Sequence, residues 1–284
     1  MPPLSAYLAL HVAVALFGLA GLFGKWLTLP PFAIVAGRAG IAALALAGVL
    51  VLQRRSFRPT AALARNGIVL AIHWVTFFEA IRVSSVATGL LGYATFPLFV
   101  LVLERFLLGR PFNRDRLATA VLVVAGIVVL VPSVSLQDSI VRGLAWGLVS
   151  AFTFALLAVR SRAFAQVYAP TEIALWQNAF AAAVLVPFAA WGGDAWDLVT
   201  LHELGLLVVL GLLCTALAHT LFIHSLHRVT AHTASVVAAL EPVYGIALAA
   251  WLLGEIPGPR TLAGAALIVS AAIVATRREP VAAV

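Results

Sequence analysis

Apolar residues run along this chain in stretches of about twenty, and polar residues collect at the breaks between them. A helix of roughly 20 apolar residues crosses the ~30 Å hydrocarbon core of a bilayer. The pattern predicts ten such helices, at roughly Leu4–Gly24, Pro31–Leu52, Asn66–Arg82, Ser84–Leu108, Arg114–Val131, Val141–Arg160, Thr171–Trp191, His202–Leu226, Val229–Leu253 and Arg260–Arg277. Pro30-Pro31 stops one helix and starts the next, Gly109-Arg110-Pro111 ends the fourth, Pro132 follows the fifth, and Gly192-Gly193-Asp194 ends the seventh. The connections are short, which leaves no room for an inserted soluble domain. Leu4–Phe23 lacks a basic n-region and is longer than a signal h-region, so it reads as a spanning helix.

Composition agrees with the pattern. The chain is 63% hydrophobic and 10% charged, which no soluble domain is. A net charge of +7 would suit a nucleic-acid partner, but the basic residues sit at the ends of apolar runs, where topology determinants lie. One side of the membrane receives Arg54, Arg55, Arg58, Arg65, Arg110, Arg114, Arg116, Arg160, Arg162, Arg228, Arg277 and Arg278. The other receives Lys25, Arg82, Arg142 and Arg260. Twelve against four places both termini in the cytoplasm, with the loop carrying Asp194 and Asp197 outside, in a multi-pass protein of the cytoplasmic membrane. The single cysteine, Cys214, excludes an internal disulfide and a cysteine-rich metal site.

The chain also repeats itself. At an offset of 145 residues Thr88 falls on Thr233, Ala94 on Ala239, Pro97 on Pro242, Leu107-Leu108-Gly109 on Leu252-Leu253-Gly254, Leu117-Ala118 on Leu262-Ala263, and Phe77 on Phe222. Residues 1–132 and 133–284 therefore read as two five-helix units. An odd number of spans turns the second unit upside down. Inverted repeats put a substrate site near the midplane, between the halves.

Candidate chemistry gathers at that level. Glu241 and Pro242 interrupt Val229–Leu253 near its middle, and Pro97 interrupts the fourth helix at the matching place. An ionised carboxylate at that depth costs about 2.5–3.5 kcal/mol on insertion scales, so the face carrying it should meet helices or a wet cavity. Each proline removes a helix bond, freeing the carbonyls of Tyr93 and Ala238, which makes the two helices candidate hinges or fixed kinks. Gly89 and Gly92 beside Tyr93 would permit close backbone approach. On the third helix His73 and Phe77 share one face, and Trp74 and Phe78 an adjacent one. With Tyr93, Phe96, His219, Glu241 and Tyr244 they could wall a cavity for a flat amphipathic solute, although each aromatic taken alone reads sooner as a packing or lipid-facing residue.

Other features read as structure. Arg38 lies about 10 Å inside its helix and Glu79 about 5 Å inside the next, so an Arg38–Glu79 ion pair or gate is expected. Glu104-Arg105 is expected to snorkel. Gly143, Gly147 and Ala151 form a small-residue stripe for tight helix packing, within or between chains. Of His219, His224, His227 and His232, only His224 and His227 share a face and no acid or thiol is near, so no metal is expected. No nucleotide-binding glycine loop, hydrolase elbow or nucleic-acid motif occurs, and no nucleophile and base converge. No cofactor is implied, and an enzyme is not.

Ala80–Gly109 (AIRVSSVATGLLGYATFPLFVLVLERFLLG) and Val229–Glu255, with its Leu-Leu-Gly-Glu ending, resemble the drug/metabolite transporter superfamily, in its ten-helix EamA-type exporters. Arg38 looks like that family's arginine early in the second helix. Within the family the chain looks most like the aromatic amino acid exporters. The resemblance implies a secondary transporter that exports amino acids, or drugs or other metabolites on the same fold. Several inward Lys or Arg residues would be expected for phosphorylated solutes, and Arg38 alone lies deep in a span. The sequence departs from the family at Arg110, where the first repeat usually has the glutamate that Glu255 supplies in the second. Phe17 and Phe154 stand where tryptophan is frequent.

Overall fold

The computed structural model describes residues 4–55, 58–84, 89, 92–111, 113–130, 138–191, 199–253 and 257–277, and all regular structure among them is helical. The helices are α1 (Leu4–Trp26), α2 (Pro31–Leu52), α3 (Ala61–Val83), α4 (Phe96–Leu108), α5 (Arg114–Leu130) and α6 (Asp138–Phe164). They continue with α7 (Pro170–Trp191), α8 (Leu201–Leu226), α9 (Ala231–Ala238), α10 (Glu241–Leu253) and α11 (Pro259–Arg277). Among the described residues, seven helical segments are long and apolar enough to cross a membrane, α9 and α10 counting as one. Large apolar side chains cover the outside, with Leu4, Leu52 and Leu201 more than four-fifths exposed, as lipid permits and water does not. The chain is a multi-pass membrane protein.

Several ends have local causes. Thr60 caps α3 by accepting the Leu63 N–H at 3.2 Å, so the helix starts a turn earlier than Asn66. Pro31 sits in the first turn of α2, where no N–H is needed. Gly109 ends α4 in the left-handed region (φ 65°) and donates its N–H to the Glu104 carbonyl. The expected breaks at Pro132 and Gly192-Gly193-Asp194 lie outside the described residues, as do Thr88, Asp197, Gly254, Glu255 and Arg278.

The prolines do more than kink. Residues 94–95 form a turn and α4 starts afresh at Phe96; residues 239–240 form a turn and α10 starts at Glu241. Both new helices are thirteen residues long, and their first residues stand 145 apart, as do their last. Pro97 and Pro242 occupy first-turn positions, where a missing N–H costs nothing. The expected bent helices are therefore broken ones.

Packing repeats in the same way. α1 lies on the last turns of α8 and on α10; α6 lies on α3 and α4; α2 meets α7, and α5 meets α11. Gly147 of α6 touches Gly92: a Cβ on Gly147 would stand 2.8 Å from the Gly92 Cα and 3.0 Å from the Gly89 carbonyl. The small-residue stripe thus packs within the chain. Gly18 does the same for the other break, where a Cβ would stand 2.9 Å from the Glu241 carbonyl oxygen.

Glu104 turns inward instead of snorkelling. It is 1% exposed and accepts from Arg116 at 2.8 Å and Arg110 at 3.1 Å, tying α4 to α5; Arg105 is exposed. Two guanidiniums in reach favour the buried site over a solvated one. Glu104→Ala is expected to cost about 1–3 kcal/mol, since it removes both charge-assisted bonds. A lowered melting temperature in detergent checks it.

Candidate functional site

The helix breaks, α3 and α8 enclose one central cavity. Its wall comprises Arg38 from α2, His73, Trp74, Phe77 and Phe78 from α3, Tyr93 beside the first break, and Glu241 at the second. Phe17 of α1, Phe154 and Ser161 of α6, and His219 and Phe222 of α8 complete most of it. The cavity measures about 50 Å³ to the centre of a water-sized sphere.

The aromatic wall is one connected cluster. Tyr93 stacks with Phe96 at 4.8 Å between ring centroids and with Phe77 at 5.3 Å; Phe154 lies 5.0 Å from Phe96 and 5.6 Å from Phe222. His73 joins it 5.1 Å from Phe154. Edge and tilted contacts of this kind add about 0.5–1.5 kcal/mol each beyond area burial. Trp74 and His219, at matching positions in the two repeats, meet at 5.9 Å. Most of the predicted aromatic site is thus brought together.

Tyr244 is not. It is half-buried, with its hydroxyl 2.7 Å from His11 Nδ1 of α1. It lies three residues beyond Glu241 in α10, and its ring meets the His11 ring of α1 edge-on at 6.3 Å. Phe96 packs behind the wall, fully buried, and does not line the cavity.

Arg38 is 3% exposed and does not pair with Glu79. Glu79 is bound by Arg82, three residues on, at 2.6 Å on the surface. Arg38 donates from Nε to Thr215 Oγ1 at 2.9 Å and from Nη2 to the Cys214 carbonyl at 3.1 Å. Its guanidinium stands 4.3 Å above the centroid of the Trp74 ring, a cation–π contact. The partners exist because α8 widens into a π-helix over Leu212–Leu217, where Thr215 Oγ1 donates to the Leu210 carbonyl five residues back at 2.7 Å. Single π turns inside α-helices are frequent at functional sites.

Glu241 stands at the first residue of α10, where the positive end of the helix dipole favours a carboxylate. Its oxygens have no hydrogen bond or ion pair, yet they are not sealed in packing, so they face the cavity. Among the described residues Arg38 and Glu241 form no ion pair with each other. A basic and an acidic side chain thus line one small cavity from different helices.

Sequence reasoning missed Phe17, Phe154, Phe222 and Ser161 as wall residues. Asn66 and Gln177 both donate to the Ser161 hydroxyl, at 3.3 and 2.9 Å, all three buried. No group of three or more His, Cys, Asp or Glu residues suited to a metal occurs among the described residues.

The EamA-like transporter family model matches twice, over residues 4–131 and 141–277, one copy on each side of the interface that holds the cavity. The chain belongs to the EamA-like transporter family. It shares 29% identity with the pseudopaline exporter CntI of Pseudomonas aeruginosa, over 89% of this chain and 88% of that one. It is 23% identical to the uncharacterized transporter YxxF of Bacillus subtilis, over 86% of this chain and 80% of the relative. A solved crystal structure, 22% identical, superposes with a TM-score of 0.79 over 96% of both chains, which establishes the shared fold.

Proposed function

We propose that this EamA-like transporter exports amino acids, aromatic or otherwise hydrophobic ones, from the cytoplasm by alternating access. In this reading it has ten spans in two inverted five-helix units, with both termini cytoplasmic. The mirrored pairing of α1 with α8 and α10, and of α6 with α3 and α4, supports the inverted arrangement. The observation that carries the substrate class is the unpaired Arg38 and Glu241 facing one aromatic-walled cavity. A zwitterion with an apolar ring has the complementary groups: a carboxylate for the guanidinium, an ammonium for the carboxylate and a ring for the wall. In this reading the aromatic wall moves as the two halves alternate access to the site. Pro97 and Pro242, at the two helix breaks, are the hinges in this reading. Glu241 either takes up a proton in the cycle or hydrogen-bonds the ammonium.

A second reading is an exporter of other small metabolites on the same fold, favoured by the similarity to a protein named for pseudopaline export. Reconstitution into liposomes with labelled phenylalanine and tryptophan, with and without a pH gradient, tests the first reading. Flux above empty vesicles is expected. If no member of a broad amino acid panel moves, the substrate class is wrong.

A further inference from the structure

We infer that the two cavity histidines are held in opposite tautomers, so that the site presents one fixed acceptor and one fixed donor and selects aromatic solutes whose ring carries an N–H or O–H. The solute class rests on the amino acid reading; the tautomers stand on geometry alone.

His73 Nδ1 lies 3.0 Å from both the backbone carbonyl oxygen and the hydroxyl oxygen of Ser150, and that hydroxyl donates its own hydrogen to the His73 carbonyl at 3.3 Å, which leaves its oxygen free to accept. A carbonyl only accepts, so Nδ1 carries the proton, and in the neutral ring Nε2 is the acceptor. His219 is held the other way. The Asn178 amide nitrogen lies 2.8 Å from the Ala174 carbonyl and 3.1 Å from His219 Nδ1. Turning the amide over would set two oxygens 2.8 Å apart, so the nitrogen faces both partners and donates to both. His219 Nδ1 therefore accepts, which leaves its proton on Nε2. Neither free Nε2 is bonded, and neither is sealed in packing, whereas the unbonded His232 Nδ1 is sealed. Both rings line the cavity, so both Nε2 atoms face it.

Their places differ. The His219 ring meets Trp74, the ring that the Arg38 guanidinium covers, so His219 Nε2–H adds a neutral donor on the side of the cavity whose charge would hold a carboxylate. His73 Nε2 stands among Phe77, Tyr93 and Phe154, where a solute's ring would lie. A lone acceptor there favours an indole N–H or a phenol O–H over a bare phenyl ring, because a bare ring leaves the nitrogen unbonded in an apolar nest. Asn178 acts through His219, as a positioning residue.

Two measurements on the full chain test this. Nitrogen-15 spectra of histidine-labelled protein in detergent, with His73→Phe and His219→Phe to assign the signals, are expected to show His73 protonated at Nδ1 and His219 at Nε2. Asn178→Asp, whose carboxylate accepts, is expected to move the His219 proton to Nδ1. Matching tautomers in the two rings would overturn the inference. In liposomes, competition against labelled tryptophan is expected to favour tryptophan about tenfold over its sulfur isostere 3-benzothienylalanine, and tyrosine over phenylalanine. His73→Phe erases both preferences. Equal competition within each pair, or a preference that survives in His73→Phe, sinks the selectivity and leaves amino acid transport standing. If no amino acid competes, the transport reading falls together with the solute class, and the spectra still decide the tautomers.

Discussion

Glu241→Gln is expected to lower transport about tenfold or more while the protein still inserts and elutes as a single species. The carboxylate is buried, stands at the N-terminus of α10, and offers the cavity two acceptor oxygens without a protein partner. A hydrogen bond to a charged group contributes roughly 1.5–3 kcal/mol, and glutamine, with one acceptor and no charge, loses most of that toward an ammonium. It also cannot take up a proton. Stability should move the other way, since an uncharged amide is cheaper to hold at this depth than a carboxylate. A destabilised, inactive variant would instead make Glu241 a structural group. Flux in liposomes and size-exclusion profiles separate these outcomes, and wild-type flux would show the carboxylate to be dispensable. Comparing the variant at several pH values, with and without a proton gradient, distinguishes proton uptake from ammonium binding. Only the first makes wild-type flux follow the gradient and the variant ignore it.

Much of this architecture is legible in the chain because lipid leaves few solutions. Backbone groups in hydrocarbon must bond within helices, so apolar runs and their proline and glycine breaks read almost directly as elements. The offset of 145 residues located the two breaks to the residue, because Pro97 and Pro242 fix where the new helices begin. It did not reveal that the chain turns before each proline. Side-chain partners were harder. Depth alone pairs Arg38 with Glu79, but Arg82 lies three residues from Glu79 on the same helix face, a neighbour that sequence spacing already offers. Arg38's real partners depend on the π-helix of α8, which has no sequence signature. Phe222 was within reach, as the repeat partner of the predicted Phe77. Phe17 and Phe154 were too, at positions where the family resemblance puts tryptophan. Tyr244 failed because its hydroxyl is taken by His11 Nδ1 of α1 at 2.7 Å, a partner 233 residues away that residue spacing does not reveal.

A methyl group on Gly147 is expected to destabilise the protein, while the same methyl on Gly40 is expected to be neutral or favourable. Both glycines lie inside helices, where replacement by alanine removes about 1 kcal/mol of helix cost. Around Gly40 nothing stands within 4 Å of the new carbon, so that gain is uncompensated. At Gly147 the new carbon meets the Gly92 Cα at 2.8 Å and the Gly89 carbonyl oxygen at 3.0 Å, and both are backbone. Backbone cannot swing aside as a side chain can, so α6 must draw away from the segment that leads into the first break. Overpacking of this kind costs about 1–3 kcal/mol, which outweighs the helix gain. Tyr93 follows Gly92 directly and Phe154 lies two turns along α6 from Gly147, so a separation here also spreads the aromatic wall. Gly147→Ala should therefore lower both the melting temperature in detergent and the flux. Gly40→Ala should leave flux near wild type. Equal behaviour of the two variants would mean that the Gly92–Gly147 contact does not hold the broken helix against α6.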